Sequence, residues 1–128
     1  MRRGLIALLA LGISVAVAAA GALPTQSISA NGVTVKATPR GLAGPVWEFE
    51  LVFDTHTQDL SDEPAKSASL HAGGETAAPL AWQGDAPGGH HRKGVLRFKA
   101  ISPLPAGLEL RLQRPGESSP RMFRWQLR

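Results

Sequence analysis

The stretch WEFELVFD, at residues 47–54, carries the clearest structural signal in the chain. Large apolar side chains occupy positions 47, 49, 51 and 53, and Glu48 and Glu50 stand between them. Successive side chains of a β-strand point to opposite faces, so this alternation predicts a strand with one buried face and one exposed face.

Other short segments show the same pattern, with glycine, proline and polar residues between them. In GVLRFKAI, at 94–101, Leu96 and Phe98 fall on the inward phase, and Arg97 and Lys99 fall on the outward phase. The polar stretch 55–66 predicts a loop containing one helical turn. The predicted strands are 33–38, 47–54, 67–71, 80–83, 94–101, 108–113 and 121–127. About seven short strands without a sustained helical period favour an all-β fold, a single immunoglobulin-like antiparallel β-sandwich.

Immunoglobulin order makes 47–54 the second strand and 94–101 the fifth, and these two are antiparallel neighbours in one sheet. Glu48 and Glu50 would then face Arg97 and Lys99 across the pair. This pairing accounts for an uneven charge distribution, because 25–90 holds three basic and eight acidic residues while 91–128 holds nine basic and two acidic.

The chain opens with MRRGLIALLALGISVAVAAAGALP, in which two arginines precede an apolar run at 5–17 and alanines in an A-x-A arrangement. This pattern is typical of a secretory signal peptide. We expect a signal peptide at 1–23, a linker at 24–32 and the sandwich domain at 33–128, with a periplasmic or extracellular location. The alternative is an uncleaved anchor, because 4–23 approaches the roughly 20 residues that span a bilayer. Membrane association is expected only in that case.

The histidines lie at strand boundaries. Asp54 and His56 follow one predicted strand, and His90 and His91 precede its predicted neighbour, so an antiparallel pairing brings them to the same end of the sheet. Imidazole and carboxylate ligands suit Zn²⁺ or Cu²⁺, and the chain has no cysteine. Adjacent histidines point in opposite directions on an extended chain, so only one of the pair joins the others. The candidate metal ligands are Asp54, His56, His90 and His91.

Two other functions are possible, one for the same histidines and one for the arginines near the C-terminus. The same histidines could instead lock the loops of a purely structural or adhesive module. A set of C-terminal cations could form a solvated face or a surface for anionic envelope polymers or lipids. These cations are Arg111, Arg114, Arg121 and Arg124.

Sequence motifs for catalysis are absent. The chain has no G-x-S-x-G elbow, no H-E-x-x-H and no phosphate-binding loop, and a small sandwich offers little concavity for a substrate. We therefore expect a non-enzymatic binding or accessory protein of the cell envelope, loaded with Zn²⁺ or Cu²⁺ if the histidine cluster holds metal. Its expected partner is an envelope protein or polymer, export argues against nucleic acid, and a monomer is expected.

Three segments, FDTHTQDL at 53–60, APLAWQGDAPGGHHRKGVLRF at 78–98 and LRLQRPGESSPRMFRW at 110–125, carry a resemblance. The chain resembles a group of short exported bacterial proteins of uncharacterised function that share a DTH element and a GGHHRKGVL element. The resemblance implies a small secreted β-sandwich. It implies no activity and assigns no ligand residues.

Overall fold

A computed structural model describes residues 23–128 of the chain, and nearly all of the predicted signal peptide lies outside those residues. Nine strands and one short helix make up this described part. They are β1 (Gln26–Ala30), β2 (Val33–Gly41), β3 (Val46–Thr55), α1 (Pro64–Ser67), β4 (Ala68–Ala72), β5 (Glu75–Ala77), β6 (Ala81–Gly84), β7 (His91–Lys99), β8 (Gly107–Leu112) and β9 (Arg121–Gln126).

The strands form two sheets, with every pair antiparallel. The five-stranded sheet has the order β1-β2-β3-β7-β6, and the four-stranded sheet has the order β5-β4-β8-β9. Both sheets contribute to one apolar core, in which the Phe49 ring centroid lies 5.7 Å from that of Phe98 and 5.7 Å from that of Trp125 on the other sheet. The prediction of an all-β protein with antiparallel sheets is confirmed, and the arrangement fits a sandwich.

Strand β3 has the alternation that its sequence predicts, with the apolar positions of WEFELVFD buried and the positions between them partly exposed. It lies in the middle of its sheet, between β2 and β7. The predicted pairing with the 94–101 segment is confirmed, and Glu48 stands opposite Arg97 with 3.0 Å between Oε1 and Nε.

The second predicted charge contact across this pair is not formed. The register puts Val95 opposite Glu50 and Val46 opposite Lys99, so Lys99 does not stand opposite Glu50. Glu50 instead accepts a hydrogen bond from Arg40 of β2 at 2.6 Å.

The segment that the sequence analysis assigns to a linker contains β1, which pairs with β2 along its whole length. The two strands are joined by Asn31 and Gly32, whose φ angles are 51° and 76°. A two-residue Asn-Gly loop of this kind is a strong hairpin signal. The strand was missed because QSISA, at an edge of the sheet, contains one large apolar residue, Ile28.

Candidate functional site

The predicted meeting of Asp54 and His91 is present at one end of the five-stranded sheet. The two residues are register partners in β3 and β7, and His91 Nδ1 lies 2.5 Å from Asp54 Oδ1. Both side chains remain substantially exposed, at 62% for His91 and 46% for Asp54. The pair is therefore open to solvent and to any partner that approaches this end.

The other two predicted ligands do not join that pair around one point. His56 and His90 are exposed in the loops that follow β3 and precede β7. Within residues 23–128, no group of three or more histidine, cysteine, aspartate or glutamate residues is arranged to hold a metal ion. Asp54 and His91 supply two donors, which is fewer than the four ligands of a structural zinc site or the three of a catalytic one.

Backbone hydrogen bonds join the two loops that carry the histidines. Thr55 N donates to His90 O at 3.0 Å, Leu60 N to Gly89 O at 3.1 Å, and Gly88 N to Leu60 O at 2.8 Å. The carboxylate of Asp59 also accepts a hydrogen bond from Gly89 N at 2.9 Å. The double glycine permits this path because Gly88 and Gly89 have φ angles of 115° and 75°, which side chains disfavour.

Arg92 fastens the base of both loops, and the sequence analysis did not anticipate this role. Its side chain is 1% exposed and donates to the carbonyl oxygens of Leu60 at 3.1 Å, Asp62 at 2.7 Å and Asp85 at 3.1 Å. The guanidinium carbon also lies 5.7 Å from the ring centroid of Phe53 and 5.8 Å from that of Trp82. The alternation of side chains along β7 indicates this burial, because Arg92 lies on the inward side of the strand with Leu96 and Phe98.

The packing of Trp82 explains why a glycine, Gly94, follows Arg92 and Lys93. Its ring covers Gly94, where an added Cβ would lie 2.5 Å from two ring carbons and 2.8 Å from the Cα of Gly84. The indole nitrogen donates to Asp85 O at 3.3 Å. The segment GGHHRKG therefore combines a turn, two exposed imidazoles, a buried cation and a platform for an indole.

Two of the four arginines proposed as an anion surface are buried in ion pairs. Arg114, 3% exposed, donates to both carboxylate oxygens of Asp62, at 3.0 Å and 2.8 Å. Arg121, 5% exposed, pairs with Glu117 at 2.7 Å and donates to main-chain oxygens of the β1–β2 hairpin. Both guanidinium groups are thus buried and engaged within the chain, Arg114 by carboxylates and Arg121 by Glu117 and main-chain oxygens.

The other two arginines stay at the surface and share a carboxylate. Arg111 and Arg124 each bring Nε to Glu109 on the outer face of the four-stranded sheet, and the Arg124 contact is 2.8 Å. Hydrogen bonds from Arg124 and then Arg111 hold the pKa of Glu109 below its ordinary value. His71, which was not singled out from sequence, is the register partner of Glu109 on β4.

Comparison with known proteins adds no family to this description. No protein-family model matches the chain, and no curated protein matches it. The fold and the site define a class by architecture, an all-β protein of two antiparallel sheets with a locked pair of loops at one end. In the part of the chain that the structure describes, no helix combines the length and apolar character needed to cross a membrane.

Proposed function

We propose that the chain is an exported, non-enzymatic binding module of the cell envelope, working as a monomer in the periplasm or outside the cell. Its working surface is the histidine end, which comprises Asp54, His56, His90 and His91. The module recognises a partner through these exposed side chains and performs no chemistry of its own.

One observation carries this proposal. The side chains at the histidine end are exposed, whereas the loops beneath them are fixed by main-chain hydrogen bonds and by the buried Arg92. Binding residues are commonly held on loops that a rigid scaffold positions, because preorganisation lowers the entropic cost of association. A locked loop pair with exposed imidazoles has these properties.

The rival interpretation, that the histidines lock the loops, has less support. Within residues 23–128, the hydrogen bonds that join the two loops come from the main chain, Asp59 and Arg92. In the described part of the chain, the one side-chain hydrogen bond of a histidine at this end joins His91 to Asp54, on the outer face of the sheet. Two donors are also a weak basis for a metal site, so Zn²⁺ and Cu²⁺ are left out of the proposal.

The immunoglobulin-like class and the export belong to the same proposal. The orders β2-β3-β7-β6 and β5-β4-β8-β9 correspond to the ABED and C′CFG sheets of immunoglobulin domains, with β1 added at the edge. Export is supported by the composition of the first 23 residues and by the resemblance to exported proteins.

The test is co-sedimentation of the mature chain with washed bacterial envelope fragments. We expect His56→Ala combined with His90→Ala to weaken binding by at least about tenfold, as loss of central interface residues does. The melting temperature should change by less than about 2 °C, because neither side chain supports the loops. Arg40→Ala is the control, because this exposed arginine lies on the same sheet at the opposite end of β2 and β3 from the histidine end.

Two results would overturn the proposal. Wild-type chain that stays in the supernatant would exclude envelope binding, and equal sedimentation of the double variant would exclude the histidine end. An arm with added Zn²⁺ examines the metal hypothesis, because metal-dependent sedimentation lost in Asp54→Ala and His91→Ala would restore it.

A further inference from the structure

The four-stranded sheet, which does not contain the strands of the histidine end, carries an open groove on its outer side. The groove has a volume of about 440 Å³ and is bordered by β4, β5, β8 and β9. Its lining includes His71, Glu75, Thr76, Glu109, Arg111 and Arg124. We call these six residues the β4–β9 groove.

The two guanidinium groups in the groove are oriented and still accessible. Both direct Nε at the Glu109 carboxylate, which fixes the plane of each guanidinium. Arg111 and Arg124 keep 39% and 69% of their side-chain surface exposed. A guanidinium held through Nε keeps terminal N–H groups that match the two oxygens of a second carboxylate.

The imidazole beside them is also held in place. His71 Nε2 lies 2.8 Å from Ser69 Oγ, and Nδ1 lies 3.2 Å from Thr76 Oγ1. Because each ring nitrogen has a hydroxyl partner, the ring cannot turn freely, and the hydroxyl groups that hold it form a small polar array. Such an array suits a ligand that itself carries hydroxyl groups.

Charge balance narrows the class of ligand. The groove holds two arginines and two glutamates, Glu75 and Glu109, so its formal charge is close to neutral. Dense polyanions are bound mainly by net positive charge and counterion release, which a neutral groove does not provide. A hydroxyl-rich ligand with one carboxylate on each sugar ring matches both the guanidinium groups and the hydroxyl groups beside them.

We propose that the β4–β9 groove binds a carboxylated glycan, with a sugar carboxylate received by Arg124 and Arg111 and sugar hydroxyls received by Thr76 and Glu75, while His71 holds the Thr76 hydroxyl in place. The site is independent of the histidine end, which belongs to the other sheet. It would give the module a second point of attachment to an envelope polymer.

The test is calorimetric titration of the mature chain with a short oligogalacturonate, beside a neutral galacto-oligosaccharide of the same length. We expect binding of the acidic sugar alone, weakened at least about tenfold by Arg124→Gln and weakened by added salt. Arg40→Gln is the matched control, because Arg40 is an exposed arginine paired with a glutamate on the five-stranded sheet. Arg124→Lys keeps the positive charge but lacks the paired N–H groups of the guanidinium. We expect its loss of affinity to lie between wild type and Arg124→Gln.

Each other outcome overturns the proposal. Equal binding of the neutral sugar would remove the role of the carboxylate, and equal effects of Arg124→Gln and Arg40→Gln would remove the groove. Binding of vesicles rich in anionic lipid without binding of oligogalacturonate would assign the arginines to a membrane surface. The His56→Ala and His90→Ala double variant should titrate like wild type, which separates this result from the test of the histidine end.

Discussion

At the scale of single residues, Arg92 is the side chain on which the loops of the histidine end depend. Its position beside two histidines suggests a surface cation, yet it is 1% exposed. Burial of a cation is tolerated here because three main-chain carbonyl oxygens receive its terminal N–H groups, and two aromatic rings face its guanidinium. Within the described residues, Arg92 Nε has no hydrogen-bond partner.

Arg92→Lys should lower the free energy of unfolding by about 2–4 kcal/mol, because one ammonium cannot replace a planar fork among three carbonyl groups. Urea unfolding followed by tryptophan fluorescence measures this loss. Arg40→Lys, at a side chain that is 53% exposed, should change the same free energy by less than about 0.5 kcal/mol. Equal, small effects of the two variants would mean that Arg92 is not the fastening residue.

At the scale of elements, a buried ion network secures the edge strand β1. Arg121 donates to the carbonyl oxygens of Ile28 and Ala30 of β1, and Glu117 holds the same guanidinium. Arg114 joins Glu117 to Asp62, so the β8–β9 turn is linked to the segment before α1 as well.

Acid should weaken this network. The hydrogen bond from Arg121 lowers the pKa of Glu117, against a smaller opposing effect of burial. Because the folded pKa lies below the unfolded one, the stabilisation is complete above the unfolded value of about 4.3 and is lost as pH falls through the folded pKa. Glu117→Gln should lower stability at neutral pH and flatten the dependence of unfolding free energy on pH as the pH falls through the unfolded value of about 4.3 and below it.

Denaturant titrations at several pH values measure that dependence. Glu63→Gln is the control, because the Glu63 side chain is 60% exposed and pairs with the exposed Lys66. If the unfolding free energy of Glu117→Gln falls as steeply with acid pH as that of wild type, other carboxylates govern acid unfolding.

At the scale of the whole molecule, the acidic and basic halves of the chain are joined by ion pairs that are distant in sequence. Asp62 and Arg114 form an ion pair in which both side chains are buried. Glu48 and Arg97 form another, across β3 and β7. Both sheets also share one core, since Phe49 of one contacts Trp125 of the other. Neither sheet keeps its apolar face covered without the other.

Unfolding should therefore be a single cooperative transition. In urea, far-UV circular dichroism and tryptophan fluorescence should give the same midpoint, because the three tryptophans lie in both sheets. Asp62→Asn should shift both curves together to lower urea, since it leaves Arg114 buried with a weaker partner. Separate midpoints for the two signals would show that the sheets unfold independently.

Much of the architecture could be predicted from local patterns. The alternation in WEFELVFD depends on the side-chain period of a strand, and it correctly indicates β3 and its buried face. The pairing of β3 with β7 was predicted from an assumed immunoglobulin strand order, and it is present. The pairing in turn brings Asp54 to His91, as antiparallel geometry requires. Strand β1 was predictable in principle, because Asn31 and Gly32 form a recognisable hairpin loop.

The sequence by itself thus determined the all-β class and the buried face of β3, because these depend on periodicity along a few neighbouring residues. The central strand pair and the meeting of Asp54 with His91 also required the assumption of immunoglobulin strand order. The tertiary structure alone decided which oxygen atoms the buried cations bind. Arg92, Arg114 and Arg121 find partner oxygens on segments 30 or more residues away, and no local pattern records such partners. It also decided that, within residues 23–128, the Asp54–His91 pair belongs to no group of three or more potential metal ligands, because the placement of loop side chains depends on contacts between segments that are distant in sequence.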